Sequence, residues 1–258
     1  MKKTIIALLA LGSAASAAEL VAEWDGFSSL VSGSYTLNTS GTTSVDENGI
    51  LSVVGANPAS ATIDISAAGL SIDNGITINM SVSGVSSWGG KTPYALVSMK
   101  GDTTDYLALA GIDGKSDEND VQAGQFAFNG SVNKISMTYP SGTDGDLGCV
   151  TDATKYYTLT FTFKKDEFAM YLNGSLLGTG TPNNEMTDAV AKQTVTSIAF
   201  GGWAAGSDNG KLNEKVSYFA IYDGAMTAAE VATLVPEPTT ATLSLLALAG
   251  LAARRRRK

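Results

Sequence analysis

The clearest pattern in the chain is Tyr157-Thr158-Leu159-Thr160-Phe161-Thr162-Phe163, where large apolar residues alternate with Thr. Successive side chains of a strand point to opposite faces, so this stretch predicts a half-buried strand with one apolar and one polar face. Lys164-Lys165-Asp166-Glu167 supplies a polar turn, and Phe168, Met170 and Leu172 resume the alternation on a partner strand. Asn173-Gly174 follows, a pair that tolerates the positive φ angles of a tight hairpin. These pieces predict a β-meander. Similar runs bounded by turn residues predict strands at Gly75 to Val82, Pro93 to Lys100, Tyr106 to Gly111, Gly124 to Asn129, Lys134 to Tyr139, Val195 to Gly202 and Lys215 to Tyr222. One short helix is signalled near the end, where Thr227-Ala228-Ala229-Glu230 reads as a capping box ahead of Val231 and Leu234. Many short strands with so little helix predict an all-β sandwich or jelly roll.

Both ends break this pattern. Met1-Lys2-Lys3, the apolar run Ile5 to Leu11 and the small residues Ser13 to Ala18 have the three regions of a secretory signal peptide, with cleavage expected after Ala17 or Ala18. At the other end Val235-Pro236-Glu237-Pro238 precedes the uncharged segment Thr239 to Ala253 and then Arg254, Arg255, Arg256, Arg257 and Lys258. As a helix that segment would be about 22 Å long, short for a hydrocarbon core of about 30 Å. A rigid break, a short apolar stretch and a basic stop suit a signal held transiently in the inner membrane through 239–253; a plain membrane anchor is the other reading. The expected organisation is a signal peptide over 1–17, one β domain over 18–234 and a sorting segment over 235–258.

Charge narrows the chemistry. Residues 18–234 hold ten Lys, no Arg and 24 acidic residues, a formal charge of −14. Such a domain repels polyanions, which excludes nucleic acid and heavily sulfated glycans as partners. The chain has no His, which removes Ser-His-Asp and Cys-His catalysis and His-ligated zinc. Its single Cys149 cannot form an intrachain disulfide, which leaves a buried thiol or an intermolecular crosslink.

The tail, with Pro236-Glu237-Pro238, the Leu-rich stretch Leu243 to Leu251 and Arg254 to Arg257, resembles a PEP-CTERM sorting signal. That resemblance implies export by the secretion machinery in a bacterium, processing by an exosortase-type enzyme, and a destination at the cell envelope, cell surface or extracellular matrix. The domain resembles the LamG-like modules of the concanavalin A-like lectin/glucanase superfamily. The resemblance rests on Leu20 to Gly26 as first strand, on Tyr156 to Gly174 as the family's strand and Asn-Gly hairpin, and on Val216 to Leu234 as its closing strand and helix. It departs at Tyr156-Tyr157, where that family usually carries Trp-His. It implies a jelly-roll sandwich and, often, a calcium ion beside the ligand site.

The residues themselves point to binding rather than to an enzyme. Glycosidases of this superfamily place carboxylates on alternate residues of one strand, and the nearest match, Glu23-Trp24-Asp25, lacks the further Glu of that motif. Glu23 and Asp25 therefore read as strand-edge polar residues, and Trp24 as core. Calcium is the ion that oxygen-rich loops would hold, and Asp113, Asp117 and Asp120 form one such loop without EF-hand spacing. A second is Ser207-Asp208-Asn209-Gly210. Sugar binding needs an exposed aromatic platform beside amide or carboxylate groups, which Trp88 and Trp203, both among glycines, could offer with Asp208 and Asn209. Capping the core is the other role open to both Trp residues. The reading is an exported, non-catalytic carbohydrate-binding or adhesion module for neutral glycans. The alternatives are a structural matrix protein that makes protein contacts, or a glycan-active enzyme.

Overall fold

In the computed structural model, which describes residues 18–54, 59–86, 93–113, 124–128, 131–135, 155–202 and 213–234, the alternating segment is a strand in a two-sheet sandwich. Strands are numbered in chain order. The first sheet holds β1 (Glu19–Asp25), β4 (Ser44–Val45), β5 (Leu51–Val53), β7 (Ile76–Ser86), β12 (Tyr157–Phe163), β13 (Phe168–Leu172), β14 (Ser175–Gly180) and β16 (Asn213–Asp223). Its order is β14-β13-β12-β7-β16-β5-β4, and β1 also pairs with β16. The second sheet holds β2 (Val31–Ser32), β3 (Tyr35–Thr39), β6 (Ala61–Asp64), β8 (Pro93–Gly101), β9 (Ala108–Asp113), β10 (Gly124–Phe128), β11 (Ser131–Ile135) and β15 (Val195–Phe200). Its order is β11-β10-β9-β8-β15-β6-β3-β2, and every pairing in both sheets is antiparallel. Two helices complete the described chain, α1 (Asp188–Ala191) and α2 (Ala228–Leu234).

The meander forms as its pattern predicts. Leu159, Phe161 and Phe163 on β12 are fully buried, and β12 pairs with β13 through the Lys164–Glu167 turn. Asn173 at φ 48° and Gly174 at φ 78° make the turn into β14. The expected half-burial of β12 does not hold, because Thr160 and Thr162 are buried as well. On that outer face α2 sets Val231 against Ala169 and Tyr171, the register partners of Thr162 and Thr160. The predicted capping box holds α2: Glu230 N donates to Thr227 Oγ1 at 3.3 Å and Thr227 N to Glu230 Oε2 at 2.7 Å.

The core lies between the inner faces and is rich in rings. Phe126 of β10 meets Phe168 of β13 at 4.4 Å between centroids, and Phe200 of β15 meets Phe219 of β16 at 4.5 Å. Trp24 is 2% exposed and packs on Phe219, a core residue as expected. One inward residue is out of character. Glu214 stands opposite the buried Val53 in the β16–β5 register, is 2% exposed, and neither carboxylate oxygen has a well-formed hydrogen bond among the described residues.

The sequence reading missed β2 to β6 and β14. Four of the six are two to four residues long, too short to show a period. Of the strand expected over Lys134 to Tyr139, Lys134 and Ile135 belong to β11 (Ser131–Ile135), which pairs with β10, and the rest lies outside the described residues.

Candidate functional site

Apart from Glu214 of β16, the inner faces of β7, β12, β16 and β1 are apolar, and the same alternation sets polar groups on the outside. On β7, Ile76, Ile78, Met80 and Val82 point inward, which leaves Thr77, Asn79, Ser81 and Ser83 on the outer face. On β16 and β1, the inward Phe219 and Trp24 are register partners, so the adjacent partners Tyr218 and Asp25 share the outer face, with Glu23 two residues from Asp25.

This outer face is covered at one end and open at the other. At the covered end Thr77 Oγ1 donates to Gly224 O at 2.8 Å and accepts from Met226 N at 2.9 Å, tying the chain before α2 onto the sheet. Thr160 Oγ1 donates to Asn79 Oδ1 at 3.0 Å, within the buried layer. At the open end lies a cleft of about 500 Å³ lined by Glu23, Asp25, Asn79, Ser81, Thr158, Ser217, Tyr218 and Leu234. Tyr218 Oη donates to Glu23 Oε1 at 2.7 Å. Burial, then the hydrogen bonds with Glu23 and Tyr222, hold the Tyr218 phenol well above its usual range, so it stays protonated and acts as a donor. Asp25 is exposed, and its carboxylate has no hydrogen bond or ion pair among the described residues. Along the same face of β7, the fully buried Ser83 hydroxyl also lacks a partner.

Such a surface can accept and donate hydrogen bonds to a polyhydroxylated or charged ligand. It offers carboxylates, a phenol, an amide and aliphatic hydroxyls, with Leu234 as its apolar contact.

Most residues singled out in the sequence lie outside the described residues: Ala17, Trp88, Asp117, Asp120, Cys149, Trp203, Asp208, Asn209, Pro236, Glu237, Pro238 and Arg254 to Arg257. Asp113 ends β9, opposite Pro93 of β8. Ala18 stands against the chain's closing turn, where a Cβ added to Gly224 would come within 3.1 Å of the Ala18 Cα. Among the described residues no group of three His, Cys, Asp or Glu could hold a metal ion, and no helix is long and apolar enough to cross a membrane. The cleft itself was missed. Its signal was the polar half of each alternation, the Thr of β12 and the Asn79-Ser81 row of β7, together with Glu23 and Asp25.

Comparison with known proteins gives a sorting signal and a fold. Residues 234–258 match the PEP-CTERM protein-sorting motif. That motif marks an exported protein with a C-terminal membrane-anchoring sorting signal, processed for the cell surface. No curated protein matches the chain in sequence. Among solved structures, the chain is similar to the botulinum neurotoxin type G receptor-binding domain, with TM-score 0.55, 14% identity, and coverage of 84% of this chain and 51% of that one. It is also similar to the botulinum neurotoxin serotype D ligand-binding domain in complex with N-acetylneuraminic acid, with TM-score 0.55, 10% identity, and coverage of 84% and 50%. A structure of botulinum neurotoxin type C, described for cell entry that depends on two ganglioside molecules, matches at TM-score 0.53 and 14% identity, with coverage of 85% and 50%. The chain thus spans about half the length of these structures, and the likeness is one of fold: an all-β sandwich shared with binding domains.

Proposed function

We propose that this exported protein is a non-catalytic carbohydrate-binding or adhesion module of LamG-like type, and that the outer-face cleft beside β1 and β16 is its glycan site. The observation that carries the reading is the convergence of Glu23, Asp25, Asn79, Ser81 and Tyr218 from three strands on one open cleft. A rigid sheet holds these groups in place, which limits the ordering cost of binding. The neighbouring folds bound to N-acetylneuraminic acid and dependent on gangliosides support a sugar ligand by analogy of scaffold. In this reading residues 1–17 are a signal peptide, 18–234 the binding domain and 235–258 the sorting segment handled by an exosortase-type enzyme. Trp88, Trp203, Asp208 and Asn209 are further candidate ligand contacts and Asp113, Asp117 and Asp120 candidate calcium ligands, all but Asp113 outside the described residues. The test is a glycan array probed with the full chain in a zwitterionic detergent, with calcium and with a chelator. Binding that weakens in a Glu23→Gln/Asp25→Asn variant supports the cleft; no binding to any glycan overturns the reading.

A second reading is favoured by one edge of the sandwich. The outermost strand β14 carries no charged residue and leaves Leu176 44% exposed, and such edges invite pairing with another chain. A structural matrix protein that assembles through β14 would show concentration-dependent association, abolished by Leu176→Lys, in the absence of glycan.

A further inference from the structure

Charge in the cleft says more about the ligand than its hydroxyls do. Glu23 and Asp25 lie two residues apart on one strand and point to the same side, so two carboxylates line one opening. Among the described residues no Lys or Arg lines it. Lys215, two residues before Ser217 on β16, is exposed and not among the lining residues. Glu23 has one oxygen taken by the Tyr218 hydroxyl, a neutral donor that leaves the carboxylate's charge in place. Asp25 has no hydrogen-bond or ion-pair partner among the described residues. The domain carries a formal −14 over residues 18–234, these two carboxylates included, which deepens the negative potential at the opening.

A neutral sugar would satisfy these oxygens with hydroxyl donors and leave both charges uncompensated. A protonated primary amine supplies three donors and a full positive charge, and charge-assisted hydrogen bonds of that kind are about twice as strong as neutral ones. Resting on the reading of the cleft as a glycan site, we propose that it selects amino sugars with free amines, that is, de-N-acetylated glycan, over N-acetylated or neutral glycan. Acetylation removes the ammonium charge and adds an acyl group, so one modification of the sugar switches recognition off. Asp25 takes the ammonium, while Tyr218 fixes the orientation of Glu23 so that its second oxygen faces the same ligand.

The experiment is calorimetric titration of the full chain, in a zwitterionic detergent, with four matched probes: a glucosamine tetramer, its N-acetylated form, a glucose tetramer and tetralysine. At about pH 6 and about 50 mM salt the glucosamine tetramer should bind at least about tenfold more tightly than the other three. That advantage should shrink as salt rises and as the amine loses its proton at higher pH. Glu23→Gln/Asp25→Asn should erase the preference and leave weak sugar binding. Asp25→Asn alone, at an exposed position, should reduce it and cannot be explained by misfolding. Equal binding of the three sugar tetramers would overturn the amine selectivity and leave the cleft's role as a glycan site intact. Tetralysine binding as tightly as the glucosamine tetramer would overturn it differently, by showing that charge suffices without a sugar. If no sugar tetramer binds, the underlying reading itself fails.

Discussion

Glu23 and Glu214 stand on neighbouring strands of one sheet, β1 and β16, and face opposite ways. Glu23 points out into the open cleft, where water and the Tyr218 hydroxyl solvate it. Glu214 points into the sandwich opposite Val53, with neither oxygen in a well-formed hydrogen bond among the described residues. Its burial pushes the carboxyl well above its ordinary value of 4.5, and the nearby Gly201 amide opposes that only in part. The difference teaches what a carboxylate costs on each side of a sheet: the outward one keeps contact with water, whereas burial of the inward one favours its protonated form.

The largest expected effect is at Glu214. Its folded-state pKa is raised, so its contribution to stability is fully present below the unfolded value near 4.5 and is lost as pH climbs through the folded-state value. Glu214→Gln should therefore raise stability in urea near pH 7, by roughly the few kcal/mol that burying an unpaired polar or charged group costs, and by much less near pH 4. A loss of stability near pH 7 would break the comparison, since it would mean that the buried charge has a partner.

Next comes the covered end of the outer face. Thr77→Val removes both bonds of the Thr77 hydroxyl and leaves the Met226 amide unpaired, which should cost about 2 kcal/mol in the same assay. Tyr218→Phe should cost less, about 1 kcal/mol, because Glu23 can turn to water, yet it should weaken ligand binding measurably. Asp25→Asn should be the mildest, within about 0.5 kcal/mol in stability, with its effect confined to binding. If Asp25→Asn destabilised the domain as much as Thr77→Val, the open end would be structural rather than a site.

What could be read in the sequence followed the range of its causes. The alternation of Thr with Leu and Phe along β12, the Asn173-Gly174 turn and the Thr227–Glu230 cap are decided within a few residues, and all three form. The cleft depends on pairings between residues far apart in the chain, such as Asp25 with Tyr218 and Tyr157 with Val82, which no local pattern reveals. Glu23 and Asp25 were visible as carboxylates on one face, but a motif test for catalysis passed over them as binding groups. Glu214 gave no signal, because its strand reads as an ordinary mixture until the register with Val53 turns it inward.

The pairing of β1 with β16 also orders events in time. Glu19 meets Asp223, so the first strand of the domain is closed by the last, and β16 further anchors β5 and β7. The first sheet cannot assemble until nearly the whole domain has been delivered, and such long-range closure is slow. Only ten residues separate Asp223 from Leu234, where the sorting motif begins. Completion of the fold and arrival of the sorting signal therefore nearly coincide, and a chain cut short before β16 would lack both the strand that closes the first sheet and the sorting signal.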